Sequence, residues 1–309
     1  MKTIFKTILT VITVAFFVFA AASCKTTSAL YEPEKQAGRM FWKIEGTDKK
    51  GKPSAVYILG TIHIGDERLY PLADETADAF INADRIAAEI SSSDMTILQQ
   101  EIQMKIKGSY LRADGRNVMQ FLEPGQVETI KELMGQNAAS LALFEPWVLQ
   151  LVINQLMMQK AGYNPEYGLD NQLMNTAKLA GKTWTGLDDI ETQLDILSAG
   201  SYSEQIYWLR ELLSSVSEGG DYKEQIDELY NVYLEDDIQK IAQIYEESRT
   251  AKDPSMQKAT DEKNRMMIDE RNKKWAAKIK KWLNEGGNTF IFAGCLHFAG
   301  DRSVFTFLK

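Results

Sequence analysis

Ala55-Val56-Tyr57-Ile58-Leu59-Gly60-Thr61-Ile62-His63 is an apolar run closed by Gly-x-x-His. The same frame returns near the other end of the chain in Thr289-Phe290-Ile291-Phe292-Ala293-Gly294-Cys295-Leu296-His297. These are the only two histidines in 309 residues. Glycine fills roughly 7% of positions in an average chain, so its presence three places before both histidines is a coincidence of roughly 0.5%. Runs of β-branched and aromatic residues of this length read as strands. Two strands that end alike predict one site assembled from both ends of the chain.

Outward from the first motif, residues 41–45 and 55–59 are expected to form a hairpin, because Gly46, Gly51 and Pro53 supply turn chemistry between them. Residues 74–83 carry Thr76, Ala77, Phe80 and Ile81 at helical spacing, and residues 85–90 are a short apolar run that contains Glu89. Residues 94–180 and 190–282 read as helices, rich in Leu, Met, Ile and Gln and punctuated by Pro124-Gly125, Pro146, Gly219-Gly220 and Pro254. Between these blocks, residues 182–186 return to strand character and run into Leu187-Asp188-Asp189. Residues 289–293 are the last apolar strand, and residues 303–308 are expected to add an edge strand. No repeat of fixed period is present. The fold class is therefore α/β, with a mixed sheet built from N-terminal, middle and C-terminal strands and a large helical insertion.

The N-terminus has the layout of a secretory signal over residues 1–23. Lys2 and Lys6 precede an apolar run at residues 8–22, and Ala21-Ala22-Ser23 lead into Cys24. The run is shorter than the about 20 residues that span a bilayer. Its ending resembles a bacterial lipoprotein box with Cys24 as the lipidated first residue; the alternative is an ordinary signal with a cysteine nearby. Residues 24–37 are polar, carry Pro33 and read as a tether. Residues 38–309 are expected to form the globular domain. These features imply a lipid-anchored protein of the cell envelope, on the periplasmic or surface side of a membrane. The formal charge is −8 and becomes more negative once Lys2 and Lys6 are removed. With no basic stripe, nucleic acid is excluded as a partner. If Cys24 is acylated, Cys295 has no disulfide partner and the core alone must hold the fold. Cys295 itself reads either as a small hydrophobe or as a ligand or nucleophile.

Open α/β sheets bind ligands outside the carboxyl ends of their strands. Here those ends carry His63, Glu89, Asp188 and His297. If the strands are parallel neighbours, the four side chains meet on one edge. Two imidazoles with carboxylates suit Zn, Mn, Fe or Co. A histidine at a strand end can also be an ordinary satisfied polar residue. Glu89 either stands in water at an edge or, inside an apolar strand, needs a metal or an arginine to offset its burial. Asp188 and Asp189 serve equally well as caps for a helix starting near Ile190, and Asp170 has the same two readings. Arg271 and Asn272 stand among Met266, Met267, Ile268 and Trp275, which read as core. An arginine there would hold Glu89 or stabilise developing negative charge.

Leu59-Gly60-Thr61-Ile62-His63-Ile64-Gly65-Asp66, followed by Leu69-Tyr70-Pro71-Leu72, resembles the opening motif of the TraB/GumN family, which includes the TIKI-type metalloproteases. Glu145-Pro146-Trp147, Gly168-Leu169-Asp170, Gly186-Leu187-Asp188, Arg271-Asn272 and Ala293-Gly294-Cys295-Leu296-His297 follow in the family's order, so the resemblance covers residues 38–309. It implies a membrane-anchored, metal-dependent hydrolase that cleaves a peptide or protein substrate, with Mn or Co as the metal and Zn also suited to the donors. On that resemblance His63 and His297 are metal ligands, and Glu89 is a further ligand or the base that activates water. Arg271 stabilises the oxyanion, and Asp188 stands at a ligand place where the family commonly has Glu. Cys295 replaces the Ala or other small residue usual in the second motif. The alternative reading is a non-catalytic lipoprotein that binds and sequesters a signalling peptide. A third is an esterase-like or haem-iron-handling hydrolase.

Overall fold

The computed structural model describes residues 31–309 apart from 107–114, 142 and 218–220. The expected signal segment, Cys24 and the first part of the expected tether lie outside the described residues. Six strands are present: β1 (Glu34–Lys35), β2 (Phe41–Thr47), β3 (Pro53–Thr61), β4 (Arg85–Ala88), β5 (Thr185–Gly186) and β6 (Gly287–Gly294). They form one mixed sheet in the order β1-β2-β3-β6-β4-β5. The β1–β2 and β2–β3 pairings are antiparallel, while β3, β6, β4 and β5 run parallel. The two histidine-bearing strands are central neighbours, in register from Ser54 opposite Gly287 to Thr61 opposite Gly294.

β6 is apolar at every position from Phe290 to Ala293 because both of its faces are covered. Phe290 and Phe292 pack with Leu59, Phe80, Leu173, Ala177 and Trp184 on one side. Ile291 and Ala293 join Trp42, Ile44, Val56 and Ile58 on the other. That second layer is closed by Trp275, Ile279 and Leu283 of the helix Glu270–Glu285 and by Tyr230 and Tyr233 of the helix Asp221–Leu234. The helical insertion has a core of its own around Ile130, Leu149, Ile153, Leu209 and Leu213.

Three local expectations change. Residues 304–308 form a helix, Val304–Leu308, rather than an edge strand. Ser303 caps it by accepting from the backbone N–H of Thr306, and Val304 and Leu308, one turn apart, are both buried. An apolar pattern this short fits either period, and the cap decides it. The middle strand pairs only over Thr185–Gly186, against Ala87 and Ala88. The sheet also begins before residue 38, since Glu34 and Lys35 pair with Lys43 and Trp42. Among the described residues no helix is long and apolar enough to cross a membrane.

Candidate functional site

The four parallel strands end on one edge, and His63, His297, Glu89 and Asp188 follow those ends. A cleft of about 280 Å³ opens there, walled by His63, Glu89 and Asp170 and by the apolar Met95, Leu98 and Met174. The motif glycines make this edge possible through close approach. A Cβ on Gly60 would lie 3.1 Å from both Cα and Cβ of Cys295, so the first motif makes room for the second. Cys295 is buried, and burial pushes its thiol up to about 12, so it is a neutral hydrophobe and not an activated nucleophile. A Cβ on Gly294 would lie 3.2 Å from Glu89 Oε1, 3.7 Å from His63 Nε2 and 3.9 Å from His297 Cδ2. The missing side chain leaves open the point on which three of the four expected residues converge.

His63 is held from the next helix. The backbone N–H of Leu169 donates to the Ile62 carbonyl at 3.1 Å and seats the start of the helix Leu169–Leu179 against the end of β3. Asp170 lies in the first turn of that helix, where the dipole favours a carboxylate. Its Oδ2 is 2.8 Å from His63 Nδ1, and its Oδ1 accepts from Thr61 Oγ1 at 2.6 Å. The Asp170 charge, acting against desolvation, raises the His63 pKa to about 9, although the imidazole is 67% exposed.

His297 has the opposite surroundings. It sits in the turn Cys295–Phe298, is 4% exposed, and lies against the Trp275 ring with centroids 4.1 Å apart. Its Nδ1 is 2.6 Å from Asn272 Oδ1. Burial, reinforced by the positive charge of Arg271, lowers its pKa to about 3, so it is neutral at physiological pH.

Arg271 joins the carboxylates. Its Nη2 donates to Glu89 Oε2, its Nε to Asp188 Oδ2 at 2.7 Å, and its Nη1 to the Met267 carbonyl at 3.0 Å. Glu89 Oε1 also accepts from the Gly294 N–H at 2.9 Å. Burial disfavours the Glu89 charge, but Arg271, both histidines and the Gly294 N–H outweigh it and hold the carboxyl well below the usual carboxylate range. Asp188 is taken up entirely in this network. Its Oδ1 accepts from Trp275 Nε1 at 2.8 Å, and its Oδ2 accepts from Gln193 Nε2 at 3.1 Å as well as from Arg271. It reaches the histidines through Arg271 and Trp275. The neighbouring Asp189 is the helix cap, accepting from the Thr192 N–H at 2.8 Å.

The structure thus brings His63, His297 and Glu89 to one point, with Arg271 behind Glu89 and Asp188 behind Arg271. Among the described residues, no group of three or more His, Cys, Asp and Glu side chains stands ready-formed at metal-holding distances. Thr61 and Trp275 were not legible as site residues. Thr61 looks like a strand residue and Trp275 like core, and each acts through a partner distant in sequence.

The TraB/PrgY/gumN family matches residues 40–309. An uncharacterized protein of Treponema pallidum (strain Nichols) is 28% identical over 278 residues, covering 88% of this chain and 80% of the relative. The uncharacterized protein YbaP of Escherichia coli (strain K12) is 24% identical over 147 residues, covering 46% of this chain and 51% of the relative, and YbaP of Shigella flexneri matches equally. No solved structure gives a significant match. With both Gly-x-x-His frames and the residues between them inside the matched span, the chain belongs to the TraB/PrgY/gumN family.

Proposed function

We propose that the chain is a metal-dependent hydrolase that cleaves peptide bonds at the cleft beside Gly294, and that it is tethered to a membrane through acylated Cys24. The observation that carries this reading is the convergence of His63 Nε2, the His297 ring and Glu89 Oε1 around one open point. The donor chemistry fits divalent Mn, Co or Zn. Asp170 occupies Nδ1 of His63, which leaves Nε2 on the cleft side, and Glu89 Oε1 keeps acceptor capacity beyond its bond to Gly294. When bound, such an ion would lower the pKa of water and polarise the substrate carbonyl.

The chain's own residues then have distinct tasks. Glu89, held in its charged form by Arg271 and the Gly294 N–H, would donate an oxygen to the ion or act as the base for water. Arg271, behind Glu89, keeps that carboxylate charged and in place. Asp188 positions the guanidinium. Met95, Leu98 and Met174 supply an apolar wall against which a substrate side chain would pack. The test is cleavage of a peptide library by the purified chain with Mn, Co or Zn. His63→Ala is expected to lower turnover by at least 100-fold, and an unchanged rate would overturn the mechanism. A lipid-modified Cys24 peptide in the mass spectrum of the membrane-extracted protein is expected alongside.

A second reading is a lipoprotein that sequesters a signalling peptide without cutting it. It is favoured by Glu89, both of whose oxygens are already hydrogen-bonded within the chain. Tight peptide binding with neither metal uptake nor turnover would select it.

A further inference from the structure

We infer that Asn272 is a positioning residue that locks His297 into one tautomer, with the proton on Nδ1 and a lone pair on Nε2. An amide can be turned either way, so its orientation has to come from its partners. Here Asn272 has two. One of its side-chain atoms is 2.6 Å from the backbone carbonyl of Arg302, which can only accept, so that atom is the donor Nδ2. The other is then Oδ1, which can only accept, and it faces His297 Nδ1 at 2.6 Å. The ring nitrogen must therefore carry the proton. A neutral imidazole has a single N–H, so Nε2 is left with its lone pair. Asn272 is fully buried, which leaves no room for water to substitute at either end. Cδ2, the carbon bonded to Nε2, is the His297 atom nearest the open point at Gly294.

The lock is anchored further out. Arg302 pairs with Asp269, which ends the π turn Arg265–Asp269 just ahead of Arg271 and Asn272. Such wide turns gather at functional sites. An uncharged orienter also has a reason here. Glu89 and Asp188 already share the one Arg271 guanidinium, and another buried carboxylate beside them would lack a cation. His63, two-thirds exposed, is instead oriented by the carboxylate of Asp170.

The tautomer does not depend on the hydrolase reading; only its consequence for metal binding rests on it. With two histidines in the chain, the full-length protein labelled with 15N-histidine gives two imidazole spin systems, which the His63→Ala form assigns. In metal-free buffer at pH 7.5, long-range 1H–15N correlation is expected to show His297 protonated at Nδ1 alone. Asn272→Leu is expected to give a mixed or reversed pattern at His297 while the His63 signals persist, and to weaken Co2+ binding about 10- to 100-fold. Asn272→Ser is the second variant should the leucine form not fold. An Nε2–H tautomer in the parent protein overturns the inference, as does an unchanged His297 pattern in a folded Asn272 variant. If the tautomer is as stated but the parent takes up no Co2+, the inference stands and the hydrolase reading falls.

Discussion

At the scale of single residues, Arg271 carries the most charge balance. Its side chain is 8% exposed, and it holds Asp188, at 1%, and Glu89, at 19%. Removing one partner of a buried ion pair leaves the other uncompensated and costs about 3–5 kcal/mol. Arg271→Ala is expected to lose stability on that scale, read from urea unfolding. Arg271→Lys is expected to recover only part, since one ammonium cannot reproduce a fork that reaches two carboxylates and a carbonyl. A loss under 1 kcal/mol for the alanine form would contradict this. Lys263 is the other residue with a clear energetic signature. Its ammonium stands 4.1 Å from the Trp208 ring centroid in a cleft of about 340 Å³, and burial lowers its pKa to about 8. In the unfolded chain a lysine titrates near 10.4. Between those values the unfolded chain holds a proton that the folded one has released, so stability rises with pH across this window and the full cost is present below about pH 8. Lys263→Met is accordingly expected to raise the urea midpoint more at pH 7 than at pH 10. An equal gain at both would sink the assignment.

At the scale of elements, β6 and its last residue decide whether the site exists. Gly294→Ala leaves the strand pairing intact but places a methyl 3.2 Å from Glu89 Oε1 and 3.7 Å from His63 Nε2. It is expected to keep the circular dichroism of the parent and to lose metal uptake; a fully active alanine form would show that the open point is irrelevant. The strand ends were readable from sequence because the β3 and β6 runs are long, apolar and closed by a repeated frame. The orienting groups were harder to read. Asp170 and Asn272 lie on helices, and which way a helical side chain faces depends on docking against a distant strand. Asp170 looked as much like a first-turn helix residue as a functional one, and it is both. Asp188 and Asp189 divided between network and cap, a choice that only the turn geometry makes. Residues 304–308 were misassigned because five residues cannot distinguish the periods of strand and helix.

At the scale of the whole molecule, the site depends on a sheet that joins the two ends of the chain. β3 and β6 are parallel neighbours although most of the sequence lies between them, and β4 and β5 extend the same edge. Part of the helical insertion closes around a separate core, while its helices Leu169–Leu179 and Asp221–Leu234 pack on the sheet and hold the end of β3. The insertion also lends the cleft Met95 and Leu98. The mixed sheet and helical insertion followed from the order of apolar runs. The two repeated frames pointed to His63 and His297 on one edge, and the ends of two further apolar runs pointed to Glu89 and Asp188, while the contacts that join Asp188, Trp275 and Asn272 behind them emerged only with the fold. The central claim is that these three side chains hold one divalent ion. Metal content of the purified chain after equilibration with Mn2+, Co2+ or Zn2+ and desalting tests it most directly, with His63→Ala and His297→Ala measured in parallel. One ion per parent chain and none in either variant is the predicted result; no bound ion in the parent, or equal loading in all three proteins, would contradict it.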